Sequence, residues 1–160
     1  MGASKMKILD REYVKIIKEI AADERVKSMK EYMQHGSTSC YHHSLGVSYM
    51  TYKYCKKHGL DYAAAARAGL LHDFCLYDWH NIGHEGGYWH GFTHPKKALA
   101  NAKASFEISE RESDMIEKHM WPLTVKLPKY KETYALLWFD KVCSTKETVG
   151  GIIEKISLFE

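Results

Sequence analysis

The chain predicts an all-α fold, a compact bundle of several helices, and three features of the sequence carry that expectation. Apolar residues recur at the three-and-four spacing of a helix face. Gly, Pro, Asp and Ser stand where helix ends require them. No stretch alternates apolar and polar residues long enough to make a useful strand.

Taken in order, Arg11 to Ala22 and Glu24 to Gln34 carry helical apolar spacing, the second through Val26, Met29, Tyr32 and Met33. Gly36 to Tyr41 interrupts the pattern with Gly, Ser and Thr. A helix follows from about His42 to His58, and Gly59 stops it. Asp61 is the expected N-cap of the next, which runs through four alanines to Gly69, Leu70 and Leu71. Tyr77 to Gly91, rich in Gly, His and aromatic residues, reads as a loop. Pro95 suits the first turn of a helix reaching about Phe106. Ser109 and Glu112 form a capping box for a helix ending near Trp121-Pro122. Lys131 to Cys143 is helical and strongly apolar, and Lys146 to Phe159 is a last helix interrupted at Gly150-Gly151. With no repeats, linkers or low-complexity tracts, one domain is expected.

Composition narrows the function. A chain of 160 residues buries roughly 70% of its unfolded surface, enough for a core without disulfides. Net charge is only +3, with lysines scattered among glutamates, so no nucleic-acid polymer is expected as partner. Four cysteines without a C-x-x-C pair fit reduced thiols, no segment is apolar for the length of a membrane span, and no leader is evident. A cytoplasmic location is expected, and no membrane partner. The outlier is histidine: ten in all, six of them between His72 and His119.

The chemistry starts from two carboxylates in apolar surroundings. Asp73 follows Ala-Gly-Leu-Leu-His, with Gly69 and Leu70 one turn back, so it points inward. Asp140 shares its face with Leu136, Leu137 and Cys143. An ionised carboxylate in such a place costs several kcal/mol unless a raised pKa, a basic partner or a metal compensates. In a chain rich in histidine the metal is favoured. His43 shares a face with Val47 and Met50, His72 adjoins Asp73, His94 precedes Pro95, and His119 shares a face with Met115 and Ile116. One ligand or pair thus comes from each of five helices, which places a metal site at the bundle's centre. Mixed imidazole and carboxylate ligation suits iron, manganese or zinc.

Each position has a plainer alternative. His42 competes with His43 and His90 with His94; Asp140 has a lysine partner as its alternative, and His119 a surface role at a helix C-terminus. Trp79, His80, His90 and Trp121, with Lys96 and Lys97, are the candidate substrate-binding residues. The alternatives are a packed aromatic loop for the loop residues, core for Trp121 and solvated lysines.

His43, the doublet His72-Asp73 and the late Asp140 resemble the H…HD…D signature of the HD superfamily. The contexts "HHSLGVSYM" (42–50), "AAAARAGLLHDF" (63–74), "HPKKALANA" (94–102), "DMIEKHM" (114–120) and "LLWFDK" (136–141) extend the likeness over about residues 40 to 143. With His94 and His119 the order becomes H…HD…H…H…D. That order resembles the dinuclear branch, in particular symmetrical bis(5′-nucleosyl)-tetraphosphatases; the branch also holds di-iron oxygenases. The Gly-Tyr-Pro element of the HD-GYP phosphodiesterases is absent, and Phe74 to Tyr77 hold no basic residue.

The resemblance implies an HD-domain bundle and a phosphohydrolase acting on a small phosphorylated molecule, nucleotides included. Two divalent transition-metal ions would serve it, iron by preference. It implies that Asp73 bridges the ions and orients the attacking hydroxide, that His43, His72 and Asp140 hold one ion, and that His94 and His119 complete the second. A di-iron oxygenase and a non-catalytic metal-dependent binding module are the alternatives. A homodimer is left open.

Overall fold

A computed structural model describes residues 10–76 and 90–157, with side chains for 10–76 and 92–150. Its elements run α1 (Arg11–Ala22), α2 (Glu24–Lys27), a 3-10 turn (Ser28–Glu31), β1 (Met33–His35), β2 (Thr38–Ser39), α3 (Cys40–Lys57), α4 (Tyr62–Leu71), α5 (His90–Ser105), α6 (Glu110–Lys118) and α7 (Lys131–Ser157). Among the described residues the fold is all-α apart from one short hairpin. No helix among the described residues is long and apolar enough to cross a membrane.

The core forms where α1, α3, α4, α6 and α7 turn their apolar faces to one another. Tyr13, Ile17 and Ile20 of α1, Val47 and Tyr52 of α3, Leu70 and Leu71 of α4, Met115 and Ile116 of α6 and Leu136 of α7 are all buried there. Each fully buried Ile, Leu or Met contributes about 1.5–3 kcal/mol relative to exposure. The alanines of α4 let it lie close against α3. At Gly69 the approach is tightest, since a Cβ there would sit 2.5 Å from the Cα of Ser48. The same crossing is tied by the Ser48 hydroxyl, which donates to the Ala66 carbonyl at 2.6 Å and accepts from the Tyr13 hydroxyl at 2.9 Å.

The expected caps are present. Asp61 accepts from the Ala64 amide at 2.9 Å, and Ser109 with Glu112 closes the capping box of α6. Gly59 ends the α3 segment in the left-handed region at φ 66°.

Three expectations fail. The helix over Glu24 to Gln34 stops at Lys27, tightens to a 3-10 turn and gives way to a hairpin that pairs Met33 with Ser39 and His35 with Thr38. The turn passes through Gly36 at φ 58°. This reverses the exposure that the helical spacing implied, because Met33 faces solvent while Gln34 is buried. Second, α5 starts at His90, so Pro95 lies inside it rather than in the first turn. The missing N–H removes one bond near the helix start, where the loss is smallest. Third, α7 runs unbroken through Gly150-Gly151. Glycine lowers helix propensity by about 1 kcal/mol but, unlike proline, keeps its donor, so the ladder continues.

Candidate metal centre

His43 comes from the first turns of α3, His94 from α5 and Asp140 from the middle of α7. His72 caps the C-terminus of α4 and His119 that of α6, while Asp73 lies just past the end of α4. All six side chains are buried. Of the neighbours His42 and His43, only the second points inward; His42 is exposed, its ring nitrogen bonded to Ser39 at 2.7 Å.

Among the described residues three groups of ligand atoms emerge, one joining His35, His43 and Glu147 and two that share Asp73. His43, His72, Asp73 and Asp140 form one of these two, and Asp73, His94 and His119 the other, with ligand atoms inside each group no more than 4.8 Å apart. The two oxygens of Asp73 divide between them. Oδ2 lies 3.3 Å from His72 Nε2 and 3.8 Å from His43 Nε2. Oδ1 lies 3.2 Å from His94 Nε2 and 3.4 Å from His119 Nε2. His94 and His119 meet through their Nε2 atoms at 2.8 Å.

Backbone carbonyls orient two of these rings. His72 Nδ1 donates to the Gly69 carbonyl at 2.7 Å, and His119 Nδ1 to the Ile116 carbonyl at 2.8 Å. A carbonyl only accepts, so Nδ1 carries the proton and each Nε2 is turned toward the cluster. His72 Nε2 is fully buried and has no hydrogen-bond partner, although it lies 3.6 Å from Asp140 Oδ1. A buried, unpartnered imidazole nitrogen facing two carboxylates is where a cation would be satisfied, and the donor set fits a divalent metal ion.

The titration of the cluster shows the same need for positive charge. Burial alone would raise the pKa of Asp73, but the His72 charge and the hydrogen bonds of His119 and His94 outweigh it and hold the carboxyl well below its usual range. Asp140 is held down against burial by His43 and His72. Burial works against protonation of His43 as well, yet its hydrogen bonds to Asp140 and Glu147 push its pKa up to about 9. His119 moves the other way, lowered mainly by burial. Without a metal, protons on His43 and His72 balance the carboxylates. A bound cation would take their place.

The hairpin and the far half of α7 add residues that the sequence reading missed. Gln34 Nε2 donates to Asp73 Oδ2 at 2.6 Å, and Glu147 Oε2 accepts from His43 Nδ1 at 2.8 Å. The His35 ring packs edge-on to His43, centroids 5.4 Å apart. Glu147 could have been found, since it stands seven residues after Asp140 and so on the same helical face. Gln34 and His35 were hidden inside the helix assigned to that stretch.

Of the expected substrate residues, Lys96, Lys97 and Trp121 lie among the described side chains. Lys96 is exposed and lines a cavity of about 300 Å³ with Phe92, Pro95, Leu123, Thr124 and Val125. Lys97 is half-buried on the same helix. Trp121 is half-buried and packs edge-on to Tyr134 of α7, 6.0 Å between centroids. Trp79, His80 and the side chain of His90 lie outside the described residues. All four cysteines are free and buried.

Comparison with protein families decides the relationship: the HD domain profile matches residues 40–135, well over half of the chain. The chain belongs to the HD domain family. The matched span contains five of the six clustered residues and ends before Asp140. No curated protein and no solved structure matches the chain significantly. Membership of the HD domain family brings a metal-dependent, hydrolase-type function in general terms, and the buried His/Asp cluster offers a donor set that could hold a divalent metal.

Proposed function

We propose that this HD domain is a phosphohydrolase that uses two divalent transition-metal ions, iron by preference, to cleave a phosphate ester or anhydride of a small molecule such as a nucleotide. The observation that carries this reading is the division of Asp73, with one oxygen turned to each histidine group. His43, His72 and Asp140 would hold one ion, His94 and His119 the other, and Asp73 would be shared.

When bound, the ions supply Lewis-acid polarisation of a phosphoryl oxygen and acidification of a water. The protein's part is orientation. Asp73, kept ionised by its histidines and anchored by Gln34, would orient the attacking water. His72 and His119, each tied to a backbone carbonyl through Nδ1, keep Nε2 free of its proton for ligation. The cavity beside Lys96 has Phe92 and Pro95, close in sequence to His94, and the ion pair of Glu117 with Lys126 among its lining residues. A small substrate would find Lys96 there as a counter-charge to its phosphate.

The test has two parts. Protein purified without added metal should carry about two transition-metal ions per chain, and Asp73→Asn should lose metal and at least the 10- to 100-fold of activity typical of even an outer hydrogen-bond partner. Phosphate release from a panel of phosphorylated small molecules should then run at full rate under strict anaerobiosis with ferrous or manganous ion. Turnover that appears only with dioxygen and consumes it would assign the site to the oxygenases. A single ion unaffected by His94→Ala with His119→Ala would reduce the centre to a mononuclear one.

A further inference from the structure

We infer that Glu147 is a positioning residue of the metal centre, which fixes the ring of His43 and sets the affinity of the subsite that His43 shares with His72, Asp73 and Asp140. The inference rests on the metal-centre reading above and concerns a residue twelve positions beyond the family-matched span.

Among the clustered histidines, His72 and His119 have backbone carbonyls as the outer partner of Nδ1. His43 has a carboxylate instead, Glu147 Oε2 at 2.8 Å. An anionic acceptor holds the Nδ1 proton more firmly than a carbonyl, so it fixes the ring orientation and makes Nε2 the more basic ligand atom. That atom points at Asp140 Oδ1, 3.0 Å away, and toward Asp73 Oδ2 at 3.8 Å.

Helix geometry links the two carboxylates. Asp140 and Glu147 are two turns apart on one face of α7, with Ser144 between them donating to Asp140 Oδ1 at 3.4 Å. A single helix face thus presents a ligand to the ion and a carboxylate to the ligand opposite. Glu147 is 17% exposed in its side chain and His43 fully buried, so the pair is shielded from water rather than formed across solvent. The His35 ring also packs edge-on against His43, with its ligand atom within 4.8 Å of those of His43 and Glu147, and it offers no second anion.

The consequence is an asymmetric centre. The subsite of His43 is served by Asp73 and Asp140, with Glu147 behind the ring. Among the described residues, the carboxylate beside His94 and His119 is Asp73. Loss of Glu147 should weaken the first subsite and leave that of His94 and His119 in place.

The experiment uses the full chain, stripped of metal and titrated with cobalt(II) alone, following visible absorption and calorimetric binding, with circular dichroism as a check on folding. Wild type should show a tight and a weaker phase. Glu147→Leu should weaken the tight phase by about 10- to 100-fold and alter its absorption band. Glu147→Gln, which retains a neutral acceptor for Nδ1–H, should recover part of that loss, while Lys146→Ala on the exposed face of the same helix should match wild type. A merely structural role would not give partial rescue by Gln together with a changed band. Equal cobalt affinity in wild type and Glu147→Leu would overturn the inference while leaving the metal centre standing. Absence of cobalt binding to wild type would instead remove the metal-centre reading, and the inference with it.

Discussion

At the scale of the residue, His43 shows how a ligand is held ready. Both its nitrogens donate to carboxylates, to Asp140 on one side and Glu147 on the other, and its pKa is pushed up to about 9. A histidine titrates near 6.5 in the unfolded chain, so its folded-state value is raised. The stabilisation is therefore complete below about pH 6.5 and is lost as pH climbs through about 9. His72, also raised, works in the same direction, and the lowered His119 gives its opposite contribution as pH rises to about 6.5, at the bottom of that window. Urea unfolding of the metal-free protein should accordingly give a lower stability at pH 9 than at pH 6.5. Metal affinity should rise over the same interval as the competing proton leaves. A metal-free protein equally stable or more stable at pH 9 would show that His43 is not the cation that balances Asp140 and Glu147.

At the scale of the element, the crossing of α3 and α4 sets where the doublet His72-Asp73 lies. Four alanines and Gly69 let the helices approach until Gly69 has no room for a methyl group against the backbone of Ser48. The Gly69 carbonyl then receives His72 Nδ1, so the tight crossing and the ligand orientation meet in one residue. Gly69→Ala should cost about 1–3 kcal/mol, the range for overpacking a close contact. At about 2–4 °C per kcal/mol for a chain of this size, thermal melting would show it. The metal content should fall with it. A melting temperature within about 1 °C of wild type would mean that α4 shifts away without strain, and that the close approach is not what positions His72.

For the whole molecule, the ligands come from five helices, α3 to α7, all of which meet at the cluster. Binding a metal must therefore stabilise the fold as a unit, because no single helix in the unfolded chain can assemble the set. At a free metal concentration a hundredfold above Kd the gain is about 2.7 kcal/mol, which corresponds to about 5–10 °C in melting temperature. Chelation followed by dialysis should lower the melting point by that amount, and ferrous or manganous ion should restore it. A protein that binds metal but melts at the same temperature with and without it would contradict a centre that ties five helices together.

The sequence by itself determined the helices with strong caps, the inward direction of Asp73 and Asp140, and the choice of the six clustered side chains. Those are local matters: period, capping residues and the cost of a carboxylate on an apolar face. Asp140 was legible although it lies beyond the family-matched span, because Leu136, Leu137 and Cys143 mark its face as buried. What only the tertiary structure decided depends on contacts between distant parts of the chain. The stretch after Lys27 left its helical pattern because a hairpin could bury Gln34 on Asp73, 39 positions away in sequence. Glu147 took its place because α7 stayed helical past Asp140 and brought a carboxylate to His43, 104 positions earlier. The sharing of Asp73 between two histidine groups likewise depends on where α5 and α6 end up around α4. Spacing along a chain reports which face a side chain occupies, whereas partners across the core are set by packing, and packing joins residues that no local pattern connects.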